Sequence, residues 1–344
     1  MSEQPLLVVV GGLLGAGKTT LILAAARLLE SRGVRAAVIL NDQGGSLVDT
    51  EMARSNGLQA GEVTGGCFCC RFSELVAVAN SFRSYGPEVI FAEPVGSCTD
   101  LSATILQPLQ IEFQQQFRVA PLSILVDPGR AVPPNSDVAF LFEKQMEEAD
   151  LLCFTKSDRY ADPPFQTSQT RQLSAITGEG VAEWLAEIMC GSLALRNIAL
   201  DIDYQRYAQA EAALAWLNAE VSLELTAALS PALVIGPLLD QLDDELTRAS
   251  IPILHLKILA HAPTGWVKAS LCANGEDPMV EGDLSASPSD SHRLLLNLRA
   301  ASAPELVEAI ARHAMQRLPG QHLEFTLNCF SPAAPRPERR VGRG

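Results

Sequence analysis

The sequence is short of basic residues: 26 Lys and Arg stand against 40 Asp and Glu, a formal net charge of −14 over 344 residues. Nucleic-acid binding needs a basic face to hold phosphates, so this balance argues against nucleic acid as the main partner. The same sign of charge argues against an anionic membrane surface. Nor is there an apolar run approaching the roughly 18 residues that a membrane-spanning helix requires. Leu6–Leu14 is short, has no basic residue before it and passes straight into a glycine-rich turn, unlike an export signal. The expected compartment is the cytoplasm, where thiols stay reduced. The eight cysteines therefore read as ligands, reactive thiols or small core residues rather than as disulfides. No internal repeat is present. What the chain does have is 47% hydrophobic and only 19% charged residues, enough to bury a core in one large or two ordinary domains.

The organising stretch runs from Val8 to Thr20: aliphatic residues, a glycine-rich turn, then Lys-Thr opening a helical pattern. Gly12, Gly17, Lys18 and Thr19 fit the phosphate-loop spacing G-x-x-x-x-G-K-[ST]. Glycines let the backbone curl so that successive N–H groups point at phosphate oxygens, and the helix N-terminus adds partial positive charge. Lys18 can reach the β- and γ-phosphates, and the Thr19 hydroxyl suits Mg²⁺ ligation.

Downstream, apolar runs of buried-strand type alternate with helical patterns as far as about residue 190. Leu21–Ser31 reads as a helix and Val34–Leu40 as a strand ending in the polar loop that contains Asp42. Gln59–Thr64 reads as a short strand, Phe72–Ser84 as a helix and Glu88–Ala92 as a strand followed by Glu93-Pro94-Val95-Gly96. Asp100–Gln116 looks helical, Leu122–Val126 is a strand ending at Asp127, Val138–Glu148 is a helix, and Leu151–Phe154 is a strand. This alternation predicts an α/β fold, a mostly parallel sheet with helices on both faces. Ligands bind past the carboxyl ends of strands in such sheets. Lys18, Asp42, the cysteine cluster, Glu93, Asp127 and Asp158 all fall there.

Cys67-x-Cys69-Cys70, preceded by two glycines, places three thiols within four residues. Thiolates favour soft or borderline metals, Zn²⁺ by default, with Co²⁺ or Cu⁺ as alternatives. Adjacent Cys69 and Cys70 converge only in a loop, since a strand sends neighbours to opposite faces. Three ligands leave the fourth position to water, another residue or a partner's side chain. Such an incomplete site suits transfer better than structural support. Cysteines 98, 153, 190, 272 and 329 stand singly and read as core residues. Thr155-Lys156-Ser157-Asp158 resembles the guanine-reading [NT]-K-x-D loop, in which a carboxylate accepts hydrogen bonds that only guanine offers. Ser174 and Ala175 are candidates to brace the base from the other side.

Beyond residue 200 the character changes. The expected domains are a P-loop GTPase domain over 1–200, a helical linker over 201–251, a smaller C-terminal α+β domain over 252–330, and a disordered proline- and arginine-rich tail over 331–344. Helices are expected over Tyr207–Leu217, Pro231–Thr247 and Ala303–Leu318. Strands are expected at Ile253–Leu259, Gly265–Cys272, His292–Leu298 and His322–Cys329.

Together, GGLLGAGKTT, GCFCC, EPVG and TKSD resemble the CobW-like family of metal-trafficking GTPases, relatives of the GTPases that load nickel into urease and hydrogenase. The resemblance is close over residues 6–190 and loose beyond. It implies that Gly12, Gly15, Ala16, Gly17, Lys18, Thr19 and Thr20 hold the GTP phosphates, with Thr19 on Mg²⁺. It also implies that Asn41-Asp42 lies in a first switch and that Glu93 and Gly96 form a second. By the same resemblance, Lys18, Thr19, Asp42 and Glu93 serve catalysis, and Thr155, Lys156, Asp158, Ser174 and Ala175 hold the base. Cys67, Cys69 and Cys70 would carry the cargo, Zn²⁺ or Co²⁺, to an acceptor metalloprotein. Thr155 stands where the family has asparagine, and no histidine-rich run is present. The implied activity is a slow GTPase working as a metallochaperone. A metal or redox sensor liganded by nucleotide, and a small-molecule kinase, remain as rivals. Oligomeric state is open, with a homodimer one option.

Overall fold

In the computed structural model, residues 4–44, 48–55, 57–130 and 132–342 are described. The chain divides into two compact units. The first comprises 1–43, 49–210 and 334–344, and the second comprises 44–48 and 211–333.

The first unit opens with β1 (Leu6–Gly12), buried along its whole length, and α1 (Lys18–Ser31). Next come β2 (Ala36–Asn41), α2 (Val48–Ser55), β3 (Gln59–Val63) and α3 (Phe72–Ser81). After β4 (Val89–Glu93) the expected helix over 100–116 is a π-helical turn, Ser102–Leu106, running into the short α4 (Gln107–Glu112) with Pro108 in its first turn. The series continues with β5 (Arg118–Val119), β6 (Ser123–Val126), α5 (Asp137–Glu148), β7 (Leu151–Phe154) and β8 (Thr170–Gln172). It closes with α6 (Val181–Met189) and α7 (Tyr204–Ala212).

The eight strands form one sheet in the order β3-β2-β4-β1-β6-β7-β8, with β5 also beside β1. Every pairing in it is parallel. Continuous aliphatic runs suit strands covered on both faces. This order makes β1 central, so the loop after it opens where strand order reverses, the usual ligand position.

The second unit is an antiparallel sheet with two helices. Its strands are β9 (Ala215–Leu229), β10 (Ile253–Ala262), β11 (Gly265–Leu271), β12 (Met279–Gly282), β13 (Ser289–Ala300) and β14 (Gln321–Phe330). They are ordered β12-β11-β10-β13-β9-β14. Helices α8 (Pro231–Arg248) and α9 (Pro304–Gln316) bury Leu238, Leu242, Val307 and Ala311 in the same core as Leu217, Val221, Ile258 and Leu296.

Two expectations are corrected. The stretch 201–251 is not a helical linker: between α7 and α8 runs the 15-residue β9, an inner strand of the second sheet. Its alternating Leu217, Ala219, Val221, Leu223 and Leu225 pack into the core, and that burial outweighs the helical preference of its alanines and leucines. The segment after residue 331 is not a free tail either, since residues 336–341 are hydrogen-bonded onto the first unit. Among the described residues, no helix is long and apolar enough to cross a membrane.

Candidate functional site

Four loops at the carboxyl ends of β1, β4, β2 and β3 build the candidate site. These strands are neighbours in that order, so at a spacing of about 4.8 Å per strand the phosphate loop and the cysteine loop spring from positions about 14 Å apart.

The loop after β1 is shaped by backbone conformations open to glycine: φ is 132° at Gly12, 79° at Gly15 and 89° at Gly17. A Cβ on Gly12 would meet the Leu125 carbonyl at 2.4 Å. Gly17 precedes α1 with no side-chain cap, which leaves the N–H groups of the first turn to an anion. Ala16 is buried and Thr20 half-buried. The Lys18 ammonium donates to the carbonyls of Gly12 (2.9 Å) and Leu13 (3.2 Å).

The second loop begins at Glu93, whose Oε1 accepts a hydrogen bond from the Thr19 hydroxyl at 3.0 Å. Gly96 lies against the phosphate loop so tightly that a Cβ there would meet the Leu14 backbone nitrogen at 2.9 Å. The buried Gln145 amide ties this loop from behind, donating to the carbonyls of Gly96 (3.0 Å) and Cys98 (2.9 Å).

At the end of β2, the buried Asn41 side chain donates to the carbonyls of Val63 and Gly66, both at 2.8 Å, and accepts from the Phe68 N–H at 2.8 Å. One amide thus clamps the cysteine loop at three points. Asp42 follows, half-buried, its N–H on the Val63 carbonyl at 3.2 Å.

The cysteine loop joins β3 to α3. Gly65 turns it with φ of 75°, and the N–H groups of Cys70 and Arg71 return to the Cys67 carbonyl at 2.9 and 3.0 Å. Its three sulfurs converge: Cys67 Sγ lies 2.8 Å from Cys69 Sγ and 3.2 Å from Cys70 Sγ, and Cys69 and Cys70 are 3.7 Å apart. They form the one cluster of three or more metal-type ligands among the described residues. Sulfurs around tetrahedral zinc stand about 3.8 Å apart, given a Zn–S bond near 2.3 Å; the Cys69–Cys70 separation matches this, and Cys67 would have to draw back from both to admit an ion. Hydrogen bonds with Cys67, Cys70 and Cys98, together with burial, push the Cys69 thiol well above its ordinary pKa. The Cys70 thiol is also raised, first through its bond to Cys67.

Of the five remaining cysteines, Cys98 is buried, as the core reading expects, and it also reaches the cluster. It sits on the loop after β4 and shares a side-chain hydrogen bond with Cys69. Its spacing of five residues from Glu93 was visible, but nothing local marks it as facing β3. Cys190, by contrast, is no core residue, since it is exposed.

The base-loop candidates lie past β7 and β8. Thr155 Oγ1 is 3.0 Å from the Ala16 carbonyl and 3.3 Å from that of Val126, joining this loop to the phosphate loop. Lys156, at φ of 59°, pairs with Asp127 at 2.6 Å. Asp158 Oδ1 accepts from Ser174 Oγ at 2.5 Å, and Ala175 beside it is half-buried.

A phosphate loop at the centre of a parallel sheet, with a three-thiol cluster two strands beyond its acidic neighbour, defines a P-loop nucleotide-binding protein with a metal-type centre. More particularly, the chain belongs to the CobW/HypB/UreG family, whose nucleotide-binding domain matches residues 6–180, just over half of the chain. The zinc chaperone YeiR of Escherichia coli strain K12 is 29% identical over 158 residues, 43% of this chain and 45% of that protein. The match thus spans under half the length of this curated relative. Among solved structures, HypB from Helicobacter pylori in complex with nickel aligns at 16% identity and a TM-score of 0.41, covering 57% of this chain and 91% of that one. Zn(II)-bound YjiA GTPase from E. coli aligns at 16% identity and a TM-score of 0.36, covering 92% and 99%.

Proposed function

We propose that this protein is a GTP-hydrolysing metallochaperone that carries a transition metal on Cys67, Cys69 and Cys70 and passes it to an acceptor metalloprotein. Zinc is the favoured cargo and Co²⁺ the alternative, because three thiolates suit both. One observation carries the reading. The converging sulfurs ride on a loop that Asn41 clamps to the end of β2, and β2 pairs with β4, whose Glu93 accepts from Thr19 at the end of the phosphate loop.

The residues divide the work. The N–H groups of Gly15 to Thr20 and the Lys18 ammonium receive the phosphates, Lys18 exchanging its two carbonyl partners for phosphate oxygens. Asp158, oriented by Ser174, accepts from guanine, while Thr155 ties the base loop to the phosphate loop through its hydroxyl. Thr19 and Glu93 offer the hard oxygen donors that fit Mg²⁺, which when bound neutralises charge on the phosphates. With the γ-phosphate present, the Glu93–Cys98 and Asn41–Asp42 segments take one arrangement, and with it gone they relax. Cys98 and the clamped cysteine loop move with them, changing how well the thiols hold the ion.

The test is elemental analysis of protein purified with GTP·Mg²⁺, beside its Cys69→Ala variant. One equivalent of zinc or cobalt in the parent, and less than about a tenth in the variant, is expected. Metal retained by the variant puts the ion elsewhere and overturns the assignment.

A further inference from the structure

The segment 336–341 lies across the cysteine loop. The Arg336 N–H donates to Cys70 Sγ at 3.1 Å, and the Glu338 N–H to the Cys69 carbonyl at 2.9 Å. The Glu338 carboxylate accepts from both the N–H (2.9 Å) and the hydroxyl (2.6 Å) of Ser73. Ser73 is in the first turn of α3, which has no cap from its own Arg71. Glu338 thus supplies that helix with the anionic cap its local sequence lacks. Further on, Arg340 pairs with Asp100 at 2.7 Å and donates to the Leu200 carbonyl at 2.8 Å, and the Val341 N–H meets the Ala103 carbonyl at 2.9 Å.

Two features separate these contacts from a chance arrangement. Asp100 has no exposed side-chain surface and is also bonded by the Tyr204 hydroxyl at 2.8 Å. Arg340 is therefore the cationic partner of a buried carboxylate, an arrangement costly to leave half-made. The second feature is where the contacts end. One end of the segment holds Cys69 and Cys70, and the other holds residues 100 and 103, immediately after the Glu93–Cys98 loop.

We propose that residues 336–341 are a strap that closes the cysteine cluster and has to lift for an ion to enter or leave. Its anchor at Asp100 makes the loop after β4 the element that frees it. The strap regulates the site proposed above as the cargo site and so rests on that reading, but the covering of Cys70 is testable without any metal.

The experiment compares the metal-free parent with a chain lacking residues 334–344 and with Glu338→Lys, which sets a cation at the start of α3. Each is alkylated with iodoacetamide, and the rates at Cys70 and Cys190 are read separately by mass spectrometry. Exposed Cys190 lies outside the strap and serves as the internal reference. Cys70 should react at least tenfold faster in the shortened chain and several-fold faster in Glu338→Lys, with Cys190 unchanged. In zinc-loaded protein, release to a chelator should accelerate in the same order at unchanged stoichiometry. Cys70 rates within twofold of the parent in Glu338→Lys, and in the shortened chain wherever its unfolding transition is preserved, overturn the strap. If no form binds zinc but Cys70 reactivity rises, the strap stands and the cargo reading falls.

Discussion

Asn41 is the residue on which the geometry of the thiols turns. Its single amide spends both donor and acceptor on the backbone at Val63, Gly66 and Phe68. Asn41→Ala strips the Gly66 carbonyl and the Phe68 N–H of this partner and leaves the Val63 carbonyl only the Asp42 N–H, while touching neither sulfur nor phosphate loop. Groups that orient metal ligands from behind are worth roughly 10–100-fold in affinity. Zinc affinity in the variant should fall by about that range, with nucleotide affinity within a few-fold of the parent, as read by competition titration. An unchanged zinc affinity would show that the loop holds its shape without the clamp. Gly96 makes the complementary case, because a methyl group there enters the space of the Leu14 backbone. Gly96→Ala should cost about 1–3 kcal/mol of stability by overpacking and slow phosphate release in a GTP turnover assay. Equal stability and turnover would mean that the two loops separate freely.

Among the elements, α5 and the π-helical turn after β4 share one buried acid. Glu148 accepts from the Ser102 N–H at 2.9 Å and stands 3.3 Å from the Thr99 hydroxyl, and burial pushes its pKa from 4.5 up to about 8. The folded chain keeps this proton where the unfolded chain has lost it. The contribution of Glu148 to stability is thus intact below pH 4.5, declines as pH rises, and is fully lost above about 8. The total is on the order of a few kcal/mol. Glu148→Gln cannot ionise, so urea unfolding between pH 5 and 8 should show a flatter slope than the parent, and parallel slopes would contradict the assignment.

The elements also show what was legible in the sequence. β1, β4, β6 and β7 announce themselves as largely apolar runs because both their faces are covered, and Gly12–Thr19 is a local motif whose backbone shape follows from its glycines. The convergence of Cys67, Cys69 and Cys70 was legible for the same local reason. β9 was misread because alanine and leucine dominate it, yet its alternation of Leu217, Ala219, Val221, Leu223 and Leu225 with polar neighbours is a strand signal. Cys98, Asn41 and Arg340 were hidden for another reason. Each acts on a group brought close only by sheet order or by a return of the chain, at separations of 29, 27 and 240 residues. Proline and arginine in 331–344 look like disorder in isolation, because the acidic partners Asp100 and Glu112 lie on other elements.

Across the whole molecule, the account is of two chemistries joined in one sheet: oxygen donors and amides for a triphosphate, and sulfur for a soft ion. The Glu93–Cys98 loop runs from one to the other, and the Asn41 clamp fixes the cysteine loop to the intervening strand β2. Because the raised thiols of Cys69 and Cys70 must give up their protons to solvent when an ion binds, zinc affinity should rise steadily with pH from 6 to 8. A flat profile would point to ligands other than thiols. The most direct test is zinc affinity by competition titration at one pH, with and without a non-hydrolysable GTP analogue and Mg²⁺. The account predicts at least a tenfold difference between the two states, about 1.4 kcal/mol of coupling, shrinking in Asn41→Ala. Equal affinities in the two states of the parent protein would contradict it.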